Sequence, residues 1–290
     1  MCHPSCTLWL MQTTKFTKEN KKFTKQLYMN ILEAIIERKK IEVAERKAAT
    51  AVKQLQHSAF YNRPRLSLQQ FLLDASKTGI IAEFKRRSPS KGSINEAADV
   101  VEVTNAYTNH GASALSVLTD EYFFGGTTED LLKARVNEVP ILRKDFIIDV
   151  YQIEEAKAMG ADVILLIAAC LTPNEVQRLA AYAKELGLEV LLELHAEEEL
   201  EHICDETEIV GINNRDLKTF KVNIERSLRM AEQIPNDKVK VAESGISSVA
   251  NILLFKQHGF KGFLIGENFM KAPNPAIAFA EFVQQLKQNV

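Results

Sequence analysis

Eight short runs rich in Ile, Val and Leu alternate with longer amphipathic stretches from residue 79 onward, and they predict an α/β chain of the (β/α)8 type, a TIM barrel. The runs start 20 to 33 residues apart, the length of one strand–helix unit. They are near-continuously apolar rather than alternating, which indicates strands covered on both faces and hence a parallel sheet. An open doubly wound sheet shares this alternation. Eight units within about 210 residues favour closure, and no glycine-rich dinucleotide fingerprint follows the first run.

An extra helical segment precedes the barrel. Residues 12 to 27, QTTKFTKENKKFTKQL, are lysine-rich and polar, so residues 1–28 are expected to form a disordered tail that a downstream start codon would omit. MNILEAIIERKKIEVAER then opens as helices do, with Asn30 as cap, Glu33 three residues on, and Leu32, Ile35, Ile36 and Val43 along one face. A single barrel domain is therefore expected over 29–290. Its strands are GIIAEFK (79–85), ASALSVL (112–118), PILRK (140–144), DVILLIA (162–168), EVLLEL (189–194), IVGIN (209–213), KVKVAES (238–244) and GFLIGE (262–267). Helices fall between them. TPNEVQRLAAYAKELG is the clearest, with Thr172 as cap, Pro173 in the first turn, Glu175 three after the cap and Gly187 as the stop.

Composition narrows the function. A net charge of −2 argues against nucleic-acid and membrane-surface binding. No apolar run approaches the roughly 20 residues that cross a bilayer, and Leu8 to Met11 is too short for a signal-peptide core, so the cytoplasm is the expectation. Cys2, Cys6, Cys170 and Cys204 are too few and scattered for a disulfide framework. Cys2 and Cys6 flank His3 without a second cluster at zinc spacing, and HAEEELEH (195–202) reads as an acidic solvated helix rather than a metal site.

Chemistry in such barrels sits at the C-terminal ends of the strands. The residues there are Glu83, Lys85 and Ser88 after the first strand, Lys144 on the third, Glu193 on the fifth, Asn213 and Arg215 on the sixth, Glu243 and Ser244 on the seventh, and Gly266 on the eighth. Any one of these alone reads as a solvated rim residue; their recurrence at equivalent positions points to a mouth lined with lysines and carboxylates that shift one another's pKa values. Glu83 and Lys85, at i and i+2 on one strand, face the same side. Gly245 and Gly266 stand where the last two strands turn toward their helices, a favoured place for phosphate. The aromatic loop YFFGG (122–126) follows the second strand, either as a wall for an aromatic substrate or as a core plug.

These residues resemble the indole-3-glycerol-phosphate synthase family of tryptophan biosynthesis. IIAEFKRRSPSKG (80–92), ALSVLTDEYFFGG (114–126), PILRKDF (140–146), LLEL (191–194), GINNRDL (211–217), VAESGI (241–246) and FLIGENFM (263–270) carry the resemblance, over about 29–290. It implies ring closure of 1-(2-carboxyphenylamino)-1-deoxyribulose 5-phosphate with loss of CO2 and water, without metal or organic cofactor; a monomer is the separate expectation for the chain. It further implies Lys144 as general acid and Glu193 as its acid–base partner, with Lys85 and Glu83 assisting. Ser88, Phe123, Asn213, Arg215 and Ser244 would contact substrate, Phe123 beside the anthranilate ring. Lys85, Gly245, Gly266 and Glu267 would hold phosphate; Glu267 stands where many members carry Ser. Other readings are a related phosphosugar barrel such as phosphoribosylanthranilate isomerase, and a non-catalytic phosphometabolite-binding barrel. The contexts of Lys144 and Glu193 speak against the first, and a binder would need no general acid.

Overall fold

The computed structural model describes residues 31–216 and 221–289. Eight parallel strands close into a barrel: β1 (Ile80–Phe84), β2 (Ala114–Leu118), β3 (Ile141–Lys144), β4 (Val163–Ile167), β5 (Glu189–Leu194), β6 (Ile209–Asn213), β7 (Val239–Glu243) and β8 (Phe260–Ile265). Each pairs with its sequence neighbours, and β8 closes on β1 with Ile80 opposite Phe263. All eight expected strands form, most of them a residue or two shorter than the apolar runs. The last runs over 260–265 rather than 262–267, because Gly266 already caps the helix that follows.

Alternation within the strands sorts the barrel interior into two levels. Ile81, Ala114, Leu142, Leu191, Val241 and Leu264 belong to one apolar cluster that fills the lower level. Leu68 and Leu72, from the short helix Leu68–Leu73, join it, so that helix closes the N-terminal end of the barrel. Two residues further along the same strand faces come Glu83, Ser116, Lys144, Glu193 and Glu243. A period of two thus sets a polar upper level on an apolar floor. The opposite faces of the strands pack against the ring of helices in a second, larger cluster.

The clearest of the expected helices starts where its cap predicts. Pro173–Glu185 begins with a reciprocal capping box, Glu175 N–H donating to Thr172 Oγ1 at 3.3 Å and Thr172 N–H to Glu175 Oε2 at 2.8 Å. One expected helix does not form: HAEEELEH becomes a six-residue 3-10 turn, Glu197–His202. His195 precedes it and is buried, while the ring of His202 lies between the carbonyls of Leu171 and Glu199, 2.9 and 3.0 Å from its nitrogens. The two imidazoles therefore face different partners, not a solvated acidic face.

The N-terminal helix α1 (Ile31–Ala49) buries Ile35, Lys39 and Val43 in one row at four-residue spacing. Asn30, the expected cap, and the lysine-rich tail with Cys2, His3 and Cys6 lie outside the described residues. A fully buried lysine in an apolar row needs compensation. Lys39 finds it between Asp120 and Asp145, each 2.9 Å from its Nζ. These carboxylates raise its pKa above the usual lysine value against the opposing effect of burial, and Lys39 with Arg143 holds Asp145 below the usual carboxylate range despite its own burial. Among the described residues no helix is long and apolar enough to cross a membrane.

Candidate active site

The polar upper level opens into a cavity of about 270 Å³ at the C-terminal ends of the strands. Its floor is an ionic cluster. Lys144 Nζ donates to Glu193 Oε2 at 2.6 Å and to Glu243 Oε2 at 3.2 Å. Glu193 Oε1 accepts from Asn213 Nδ2 at 2.9 Å, and His195 Nε2 lies 2.9 Å from the same oxygen. Beside this cluster, Lys85 Nζ donates to Glu83 Oε1 at 2.7 Å.

Burial opposes the charge on Lys144, but Glu193, Glu243 and Glu83 outweigh it and hold the ammonium protonated well past the ordinary lysine range. Two carboxylates share this one close ammonium, and they part company. Burial alone would raise Glu193, yet Lys144 and His195 pull it well below the usual value. Glu243 is pushed up to about 8 by burial and by the charge on Glu193, with Lys144 only partly opposing. The cluster therefore sets a charged lysine and a strongly acidic Glu193 beside a Glu243 that holds its proton far more readily. An ammonium beside an ionised carboxylate in a desolvated cup is equipped both to donate and to accept a proton.

Three loops build the rim. Arg215, after β6, donates through Nη1 to Ser90 Oγ at 3.0 Å and through Nη2 to Glu267 Oε2 at 3.1 Å. Lys91 lies 3.7 Å from Glu267 Oε1, so this carboxylate turns toward two cations and is held below its usual pKa chiefly by Arg215, against burial. Ser244 and Gly245 both take left-handed backbone, φ 65° and 70°. For Ser244 that conformation is strained, and strain of this kind collects at functional sites. Gly266 is required for space: a Cβ there would stand 2.5 Å from Glu83 Oε1.

The structure brings almost every expected site residue to this one cavity. Glu83, Lys85, Ser88, Lys144, Glu193, Asn213, Arg215, Ser244, Gly245, Gly266 and Glu267 all line it. Phe123 does not, and the aromatic wall is Phe124 instead. Asp120 caps the one-turn helix Glu121–Phe124 by accepting from the Phe123 and Phe124 N–H groups, and that phase aims Phe124 at Phe146, with ring centroids 6.0 Å apart, while Phe123 packs on Tyr122.

Sequence reasoning missed three contributors. His195 sits two residues after Glu193, the same spacing that put Glu83 and Lys85 together, so strand alternation carried the signal. Ile31, Leu32 and Ile35 of α1 wall the cavity, a placement that a helix ahead of the barrel does not advertise. Lys39 was legible as a charge in an apolar row, but Asp120 and Asp145 were not legible as its partners.

The model of a family described as indole-3-glycerol phosphate synthase matches residues 32–282. Relatives of that name include one from Bacteroides thetaiotaomicron, 49% identical over 259 residues, covering 89% of this chain and 99% of its own length. Another, from Polynucleobacter asymbioticus, is 44% identical and covers 87% of this chain and 98% of its own. Among solved structures, a chain of the tryptophan synthase α2β2 complex from Pyrococcus furiosus superposes with a TM-score of 0.54, covering 72% of this chain and 97% of its own. At 17% identity that likeness shows the barrel fold alone. A family match across nearly the whole described chain, together with the charged cup on the barrel strands, leads to one conclusion: the chain belongs to the indole-3-glycerol phosphate synthase family.

Proposed function

We propose that Lys144, Lys85 and Glu193 divide the proton transfers of the family reaction among them. The chain is a carboxy-lyase of tryptophan biosynthesis that closes the pyrrole ring of 1-(2-carboxyphenylamino)-1-deoxyribulose 5-phosphate, releasing CO2 and water. The ring carbon attacks the ribulose carbonyl while Lys144 protonates its oxygen. CO2 leaves from the attacking ring carbon, Lys85 protonates the new hydroxyl so that it departs as water, and Glu193 removes the hydrogen that restores aromaticity. A ketone under attack develops negative charge on oxygen, and a desolvated ammonium stabilises and then quenches it. The 2.6 Å Lys144–Glu193 contact carries this reading, because it sets acid and base side by side at the cup floor.

The remaining groups bind and orient. Lys85 and the loops at Gly245 and Gly266 receive the phosphate, with Glu83 holding Lys85 in place. Glu267 contributes its backbone there, since its carboxylate is directed to Arg215 and Lys91. Ser88, Asn213, Arg215 and Ser244 face substrate hydroxyls and carboxylate. Phe124, rather than Phe123, flanks the aromatic ring. The chemistry calls on no metal or organic cofactor. The protein acts as a monomer in the cytoplasm, with residues 29–290 as one folding unit.

The test is a fluorescence assay for indole glycerol phosphate using purified protein without added metal. Lys144→Ala should lower kcat by a factor of about 10² to 10⁴, measured at a temperature where the variant is folded. Turnover by the variant at the wild-type rate would reject Lys144 as the acid.

A further inference from the structure

Glu193 has two nitrogen-bearing side chains against it in the resting site, the Lys144 ammonium on Oε2 and the His195 imidazole 2.9 Å from Oε1. During the reaction the ammonium charge is lost. When the Lys144 ammonium gives its proton to the carbonyl oxygen it becomes a neutral amine, and Glu193 must still be a carboxylate when it later accepts the ring hydrogen. An anion left alone in a buried cup would instead pick up a proton or distort the site. His195 is the remaining counter-charge. Its side chain is 6% exposed, and it stands just past the end of β5, two residues after Glu193. Behind it, Glu199 Oε2 lies 3.8 Å from Nδ1 and is anchored by the His195 backbone N–H at 2.6 Å.

We propose that His195, backed by Glu199, is the positioning residue that keeps Glu193 a carboxylate after Lys144 has given up its proton. This rests on the assignment of Glu193 as the base. His195 neither gains nor loses a proton: one moves from Lys144 to the substrate oxygen, a second from Lys85 to the departing hydroxyl, another from the ring to Glu193, and the imidazolium supplies field and orientation.

The groups around it are accounted for. Glu193 faces it from its own strand and Glu199 from the following turn, with Lys144 and Glu243 beyond Glu193. Cys170, on the turn after β4, is a neutral thiol whose pKa burial and these two glutamates push up. Burial opposes protonation of His195, yet Glu193 and Glu199 raise its pKa to about 9. The imidazolium is therefore present below that pH and lost above it.

The test compares kcat and KM across pH for the wild type, His195→Asn and Glu199→Gln, with folding checked by melting temperature. An Asn amide can offer Glu193 an N–H but no charge. The wild-type kcat should fall as pH rises through about 9. Glu199→Gln should move that fall down by about one pH unit. His195→Asn should lower kcat by about 10- to 100-fold with KM within about twofold, and abolish the fall at that pH. Nitrogen-15 NMR of the His195 ring reads the same titration without turnover. An alkaline fall unchanged in both variants, or a ring that is neutral at pH 7, overturns the proposal. Absence of turnover in folded wild-type protein would be a different failure, removing the assignment of Glu193 and this inference with it.

Discussion

Glu243 and Glu193 stand on either side of one ammonium, and their different environments give them different ionisation. Glu193 has the Lys144 ammonium, the His195 imidazole and the Asn213 amide against it, whereas Glu243 has Lys144 at 3.2 Å and a second oxygen, Oε1, buried without a hydrogen-bond partner among the described residues. A carboxyl raised to about 8 in the folded chain binds a proton that the unfolded chain has already released above about 4.5. Between those values the folded state holds more protons, so the Glu243 contribution to stability falls as pH rises. Glu243→Gln copies the protonated form and removes this dependence. Its melting temperature relative to wild type should rise from pH 6 to pH 9. A difference that is flat or falling over that range would show Glu243 to be ionised in the folded protein.

At the scale of the element, α1 is fastened to the barrel by Lys39 rather than by its apolar row alone. Lys39 joins three segments: its own helix, the cap of the aromatic turn through Asp120, and the residue after Lys144 through Asp145. Thr119 Oγ1 also donates to Asp145, at 2.7 Å. Removing the lysine leaves Asp120 without a cation among the described residues and Asp145 with Arg143 alone, a loss of about 3–5 kcal/mol. Lys39→Met should lower stability by that amount in urea unfolding. It should also lower kcat/KM at least about 10-fold, because α1 carries part of the cavity wall and Asp120 sets Phe124. A stable Lys39→Met protein with unaltered kinetics would show that the helix is held by its apolar contacts.

Across the whole molecule, the two ends of the barrel have separate duties. Catalytic groups gather at the C-terminal ends of the strands, while the N-terminal end is locked by Asp162. Its carboxylate is fully buried, pairs with Arg135 at 2.6 Å and with Arg63, and accepts the backbone N–H groups of Leu66 at 2.8 Å and Ile141 at 2.9 Å. Asp162→Asn keeps the size and weakens every one of these contacts. It should lower the melting temperature by roughly 5–10 °C, corresponding to about 3 kcal/mol, with kcat unchanged at temperatures where the fold is intact. Lys144→Ala should lower kcat where its fold is intact. A drop in kcat for Asp162→Asn at such temperatures would show the two ends to be coupled.

What the sequence by itself determined was the barrel and most of the cup. Strand spacing and continuous apolarity specify eight covered parallel strands, and a period of two then places Glu83, Lys85, Lys144, Glu193 and Glu243 on the inward face, since alternation along a strand is a local property. His195 obeys the same period and was legible in principle. Tertiary structure decided the rest. Phe124 rather than Phe123 faces the cavity because one residue turns a helix by about 100°, and the phase of a single-turn helix is set by how Asp120 caps it. Lys39 meets Asp120 and Asp145, and Arg215 meets Ser90 and Glu267, across separations that only chain closure shortens. Glu193 and Glu243, alike in sequence, differ in charge because ionisation in a buried cup depends on how many cations lie within reach in space.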